Sequence, residues 1–332
     1  MKAIKIIIPV IAISLFIVIS GCTQSPKENN TMKTTDSKKN IKIVVTDSGL
    51  GGLSVVEDIT KKIKEAGYYD HAEIIFANAL FDVNSGYNRL TDRSEKIVIF
   101  NDALHGIEKH YKPDYVFIAC NTLSVLYHET EFSKHSKTNI VTLVDYGVNL
   151  INMNLQKQDS SNVIIFGTKT TIKEDTYGKL LLKKNITEDR IVSKACPELQ
   201  EYIEREPKGE ETYNLISQFV DEAVEQLKDK DEDLYISLNC THYGYSGDLW
   251  EKAFESHNIK LSGILNPNYE MSKVLFPKNY KKASKETELS VSVVSKVVLA
   301  EQNINAMMNL FKDSCPLLAD ALKNYELKVD LF

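Results

Sequence analysis

Two apolar runs early in the folded part of this chain reappear further along at one fixed offset, each closing on small or hydroxylated residues. With "IKIVVTDSG" laid over "SNVIIFGTK", Asp47 falls on Gly167; with "DYVFIACNT" laid over "LYISLNCTH", Cys120 falls on Cys240, both at a shift of 120 positions. Self-similarity at a fixed spacing is the mark of a duplicated structural unit. Longer segments of helical period separate such runs: in "LSVVEDITKKIKEA", Leu53, Val56, Ile59 and Ile63 fall on one face, and "RSEKIVIFNDALHGIEKH" reads as a second helix. "EIIFAN", "NIVTLV" and "NVIIFG" are further strands. Apolar strands without strict alternation, separated by helices, indicate parallel sheets covered on both faces. The expected fold is α/β, with two similar lobes over residues 41–144 and 145–266. Their mainly parallel sheets are expected to be related by a pseudo-two-fold axis, with the active site in the cleft between them.

Ligands of such sheets bind beyond the C-terminal ends of the strands. In facing lobes, Cys120 and Cys240 would confront one another across a ligand. One can remove a proton as thiolate while the other donates one as thiol from the opposite face, which is what inversion of a carbon centre without a cofactor requires. A free thiol has a pKa of about 8.5, so a thiol acting as base at neutral pH needs help from its surroundings. Asp47 closes the first strand and can assist Cys120, and His242 lies two positions from Cys240. Asn121, Thr122, Thr168, Thr171 and Thr241 supply amide and hydroxyl groups for the polar atoms of an amino acid. "DSGLGG" can present backbone N–H groups to a carboxylate at a helix start.

The ordered segments "VVTDSGLGGLSVV", "IACNT", "FGTKTTI", "ACPELQEYIE" and "NCTHY" resemble the signatures of the cofactor-independent glutamate and aspartate racemases, most closely glutamate racemase, over roughly residues 41–267. The resemblance implies catalytic cysteines at Cys120 and Cys240, and auxiliary acid–base groups at Asp47, Glu204 and His242. It also implies substrate contacts at Ser48, Asn121, Thr122, Thr168, Thr171 and Thr241. The chain departs from the family after the second strand. Where an acidic residue and a Pro-Tyr-Gly segment are usual, the text is "FANALFDVNSGYNRL", with Asn78 near the acidic position and Asn84-Ser85-Gly86 near the other. Gly244 to Asp248 reads as a short insertion. The tail from Ser290 has Val, Met and Leu at helical spacing, so residues 267–332 are expected to be largely helical, covering a lobe or a subunit partner in a homodimer.

Each feature has a plainer counterpart. A lone cysteine at a strand end is more often packing than catalysis, and Cys196 and Cys315 are read that way. Cys240 with His242 is half of a zinc site, but no second Cys or His pair lies close in sequence to complete it, so no metal is expected. "DSGLGG" lacks the Lys-Ser/Thr ending of a phosphate-binding loop and the spacing of a dinucleotide fingerprint. His71, His105, His110, His128, His135 and His257 lie in polar or helical text and read as surface residues.

The first residues stand apart from the fold. Two lysines precede an apolar stretch, Ile6 to Ile19, that ends in "ISGC". This resembles a lipoprotein signal, 1–22, with Cys22 as the lipidated residue and 23–40 as a polar tether. The alternatives are an ordinary secretory signal, or a start at Met32 and a cytoplasmic product. The lipoprotein reading places the protein outside the cytoplasm, anchored to a membrane, where a facing pair of thiols is exposed to oxidation. Five cysteines, one of them taken by lipid, do not make a disulfide scaffold. A net charge of -6 and no basic run argue against nucleic acid as a partner.

The expected activity is therefore racemisation of a small amino acid of the glutamate or aspartate type by two cysteines, with no cofactor. A catalytically inactive, tethered binder of acidic amino acids or peptidoglycan fragments is the alternative from another class. A one-sided decarboxylase or isomerase of the same superfamily is a further enzyme rival.

Overall fold

The computed structural model describes residues 40–158, 160–228, 232–282 and 286–332. The expected signal segment, Cys22 and the tether up to residue 39 lie outside these residues. The first strand begins at Asn40. Among the described residues no helix is long and apolar enough to cross a membrane.

Two parallel sheets organise the chain. The first lobe runs β1 (Asn40–Asp47), α1 (Leu53–Ala66), β2 (His71–Asn78), α2 (Arg93–Tyr111), β3 (Tyr115–Ile118), the short α3 (Asn121–Ser124) and α4 (Glu131–His135), and β4 (Asn139–Thr142). Helix α5 (Leu143–Leu155) crosses to the second lobe, built from β5 (Asn162–Gly167), α6 (Lys169–Glu174), α7 (Thr176–Leu182), β6 (Ile191–Ala195), α8 (Leu199–Arg205), α9 (Glu210–Val224), β7 (Leu234–Asn239), α10 (Gly247–Glu255) and β8 (Leu261–Leu265). The sheets have the same internal order, β2-β1-β3-β4 and β6-β5-β7-β8. The likeness extends to register. Val44 pairs with Val116 and Thr46 with Ile118 in the first sheet. In the second, Ile164 pairs with Ile236 and Phe166 with Leu238, the same residues moved by 120 positions.

The central strands β1 and β5 are buried almost end to end, because helices cover both faces of each sheet. Ile43, Val45 and Phe76 pack under α1 through Val56, Ile59 and Ile63, and Ile164, Phe166 and Ile236 pack under α9 and α10 through Phe219, Trp250 and Phe254. Each such side chain contributes about 1.5–3 kcal/mol relative to exposure. Helix α1 stops at Gly67, whose φ of 58° is left-handed and whose N–H donates to Ile63 O, a closure that costs glycine little.

The C-terminal segment corrects one expectation. Within the segment expected to be largely helical, Glu288–Ser295 is a strand, β9, parallel to β2 from His71↔Glu288 to Asn78↔Ser295. "ELSVSVVS" alternates Leu289, Val291 and Val293 with Glu288, Ser290 and Ser292, and this period of two decides its conformation. Helices α11 (Glu301–Phe311) and α12 (Pro316–Lys323) follow, and β10 (Glu326–Leu327) closes the edge beside β9. The tail thus completes the first lobe's sheet as well as covering it.

Candidate active site

The parallel registers bring the ends of β1, β3, β5 and β7 to one cleft. Asp47, Ser48, Cys120, Asn121 and Thr122 line it from the first lobe, and Thr168, Cys240, Thr241 and His242 from the second. Two residues not singled out in the sequence, Asn88 and Gln200, complete its wall. The enclosed space is only about 10 Å³, room for about one water. Both cysteines are buried free thiols, as are Cys196 and Cys315, which sit in apolar clusters. Among the described residues no group of three or more His, Cys, Asp or Glu could hold a metal ion.

Each thiol has its own titratable neighbour. On the first lobe, Ser48 Oγ and Cys120 Sγ share a hydrogen bond at 3.2 Å, and the Asp47 carboxylate lies near enough for its charge to bear on the Cys120 thiol. Asp47 accepts from Ser48 N at 2.6 Å, Gly52 N at 2.6 Å and Thr241 Oγ1 at 2.8 Å. Burial pushes the Asp47 carboxyl above its ordinary pKa, against the nearby His242 charge and these bonds. Burial, then the charge of Asp47, push Cys120 well up. Cys120 is therefore held as the thiol, beside a carboxylate made more basic by its surroundings.

On the second lobe, His242 Nδ1 lies 3.6 Å from Cys240 Sγ and His242 Nε2 lies 2.6 Å from Glu204 Oε1. Burial alone would lower the imidazole pKa, but the bonds and charges of Cys240 and Glu204 override it and hold it well above the ordinary value. That direction favours the doubly protonated ring, with Nδ1 toward the sulfur and Nε2 toward the carboxylate. Glu204 is held in turn. Burial would raise its pKa, but His242, Leu50 N at 2.7 Å and Asn303 Nδ2 at 2.9 Å bring it below the usual range. Glu204, assigned by resemblance alone, reaches the site from α8.

The remaining predicted residues form an interlobe network. Thr122 Oγ1 and Thr168 Oγ1 meet at 2.9 Å, and Thr168 Oγ1 meets Thr171 Oγ1 at 3.0 Å, so Thr171 stands behind Thr168 and is not on the cleft wall. Tyr177 OH donates to Asn121 Oδ1 at 2.6 Å. The Asn121 amide nitrogen is buried with no hydrogen-bond partner among the described residues. Gly51 is where the backbone approaches most closely: a Cβ there would lie 2.4 Å from Thr241 Oγ1 and 2.5 Å from His242 Nδ1.

Sequence reasoning missed Asn88, Gln200, Tyr177 and Asn303. In the loop after β2, Asn84 is exposed and Ser85 and Gly86 line a second cavity outside the cleft, while Asn88 lines the thiol cleft itself. Asn88, Gln200, Ser48 and His242 line both spaces.

No family model matches the chain. It is similar to glutamate racemase from Aliarcobacter butzleri, at 29% identity over 207 residues, 61% of this chain and 72% of that protein. It is also similar to glutamate racemase from Clostridium botulinum, at 27% over 243 residues, 73% and 86% of the two chains. Among solved structures, glutamate racemase from Francisella tularensis in complex with D-glutamate superimposes with a TM-score of 0.61 at 19% identity, over 87% of this chain and 96% of that one. These sequence relatives are glutamate racemases, which are isomerases, and the two-lobed α/β fold of this chain is that of the solved structure.

Proposed function

We propose that the protein interconverts the L and D enantiomers of an acidic amino acid, glutamate or aspartate, by proton transfer at the α-carbon between Cys120 and Cys240. The observation that carries this reading is the pair of thiols in one cleft, each supplied from its own side with a separate acid–base group. In one direction Cys240 removes the α-proton and Cys120, kept protonated by burial, delivers its proton to the opposite face. The Cys120 thiolate left behind regains a proton from solvent by way of Asp47, and the proton taken by Cys240 leaves to solvent as the His242 imidazolium passes one proton through Glu204 and accepts the one on Cys240; the reverse direction exchanges these roles. The bare Asn121 amide donor and the Thr122 and Thr168 hydroxyls are suited to the substrate's α-carboxylate and amino groups. The present cleft is too small for an amino acid, so binding separates Thr122 from Thr168 and replaces their mutual bond.

The test uses the reduced full chain in heavy water with L- and D-glutamate and aspartate, following chirality and α-deuterium together. Inversion with deuterium uptake supports the reading and names the substrate. Binding without either signal would favour the tethered binder instead. The lipid anchor at Cys22 and an extracytoplasmic location belong to the same proposal, tested by metabolic labelling with a radioactive fatty acid in wild type and Cys22→Ser.

A further inference from the structure

A third cavity, between the lobes and distinct from the one lined by Ser85 and Gly86, adjoins the thiol cleft and shares Asn88, Thr168 and Gln200 with it. Its wall is rich in cations, and the acids near them are largely spent. Arg89 is held by Glu201 at 2.8 Å, and Arg93 by Glu174 at 2.8 Å and by Glu129 Oε2 at 2.7 Å. Lys169 and Lys173 stand exposed at the rim and enter no ion pair among the described residues. The remaining acid on this wall is Glu198.

Lys96 is the unusual member. It is only 8% exposed, and its ammonium donates to Thr170 Oγ1 at 2.8 Å, across the lobe interface. Glu174, the acid whose charge bears on it, is already engaged by Arg93. Lys96 also lies near the start of α2, where the helix dipole disfavours a cation and favours an anion. Burial adds to this by lowering its pKa. A buried ammonium has three donors to satisfy, and lysine is rarely buried without a charged partner.

We propose that this cavity is an oxyanion subsite, in which a carboxylate or phosphate group binds Lys96 Nζ and Thr170 with the rim lysines around it. The proposal rests on these charges and not on the racemase reading. The anion has two available sources: the distal carboxylate of an amino acid whose α-carbon lies between the thiols, or a separate small oxyanion.

The test is calorimetric titration of the detergent-solubilised full chain with inorganic phosphate, in wild type, Lys96→Met and the surface variant Lys169→Gln/Lys173→Gln. Wild type is expected to bind, Lys96→Met at least tenfold more weakly, and the surface variant several-fold more weakly with a shallower salt dependence. Phosphate displaced by D- or L-glutamate identifies the substrate's own carboxylate as the occupant, and phosphate binding alongside saturating amino acid identifies a separate anion. The surface variant keeps the test decisive if Lys96→Met does not fold. Wild type that fails to bind phosphate, or a surface variant that binds as tightly as wild type, overturns the proposal. A chain that binds phosphate but inverts no amino acid would separate this site from the racemase reading.

Discussion

Asn303 on α11 donates through Nδ2 to Glu204 Oε2 at 2.9 Å, so a helix of the C-terminal segment holds the carboxylate that holds His242. A hydrogen bond to a charged group contributes about 1.5–3 kcal/mol. Removing it in Asn303→Ala leaves Glu204 easier to protonate and its grip on the imidazolium weaker. The expected result is a roughly ten- to hundredfold loss in kcat/KM, with the alkaline limb of the pH–rate profile moved to lower pH. A merely structural role would leave that limb in place, so the profile itself is the measurement.

The two thiols differ in their surroundings, and their serine variants should differ too. A serine hydroxyl is far too weak an acid to replace a thiol in proton transfer, and general acid–base groups contribute about 10²–10⁴-fold. Both Cys120→Ser and Cys240→Ser are expected to lose racemisation by at least about 10³-fold. Cys120→Ser keeps the His242 and Glu204 pair, so it should retain α-deuterium uptake from the enantiomer whose proton faces Cys240. Mass spectrometry of the recovered amino acid reads this directly, and a variant that racemises normally removes that cysteine from the mechanism.

Gly51 offers a steric test of the same relay. A Cβ at this position would press on Thr241 Oγ1 and His242 Nδ1 at distances that real Cβ atoms do not show. Gly51→Ala should therefore push the imidazole away from Cys240 and cost about 1–3 kcal/mol of stability through overpacking. Urea unfolding measures the second effect, and single-turnover kinetics the first. Gly247, with open space around its Cβ direction, is the matching control.

Much of this arrangement is legible in the chain because it depends on repetition. The shift that places Cys120 on Cys240 also carries the β1–β3 register onto β5–β7, and buried central strands impose an apolar run that a reader can find. Asn88, Gln200, Tyr177 and Asn303 are different. They are single polar residues in loops and helices, brought to the cleft wall or behind it by contacts between distant segments, such as Tyr177 with Asn121 and Asn303 with Glu204. No local period marks them. Strand β9 is hard to see for a related reason: its partner β2 lies far back in the sequence, and only its alternation of Ser with Leu and Val signals the conformation.

Asn88 should help set substrate choice. It lines the thiol cleft and both neighbouring cavities, and Thr122 Oγ1 donates to its side-chain oxygen at 3.4 Å. Asn88→Gly removes side-chain volume from the wall, and one methylene of fit is worth about 1–3 kcal/mol in discrimination. The ratio of kcat/KM for glutamate over aspartate is expected to rise by about tenfold or more. An unchanged ratio would mean that Asn88 does not face the substrate's side chain.

The Glu204–His242 pair also sets a pH dependence of stability whose direction follows from the shifts. His242 has a folded pKa well above its ordinary value, so its contribution is complete below the unfolded pKa of about 6.5 and is lost as pH rises through the folded value. Glu204 is shifted down, so its contribution is present above the unfolded carboxylate pKa and is lost as pH falls through the folded one. The pair is therefore most stabilising in the window between the two unfolded values. Raising the pH should deprotonate the imidazole and leave Glu204 buried with a weakened partner, a situation that costs about 3–5 kcal/mol when a buried pair is broken outright. Urea midpoints of wild type are expected to fall from neutral to alkaline pH more steeply than those of a Glu204→Gln/His242→Gln double variant. The buried thiols Cys120 and Cys196, also shifted upward, act in the same direction in both proteins, so the difference between the two curves isolates the pair. Parallel curves would mean that His242 is neutral in the folded protein, and Cys240 would then face a ring nitrogen unable to return a proton without first collecting one.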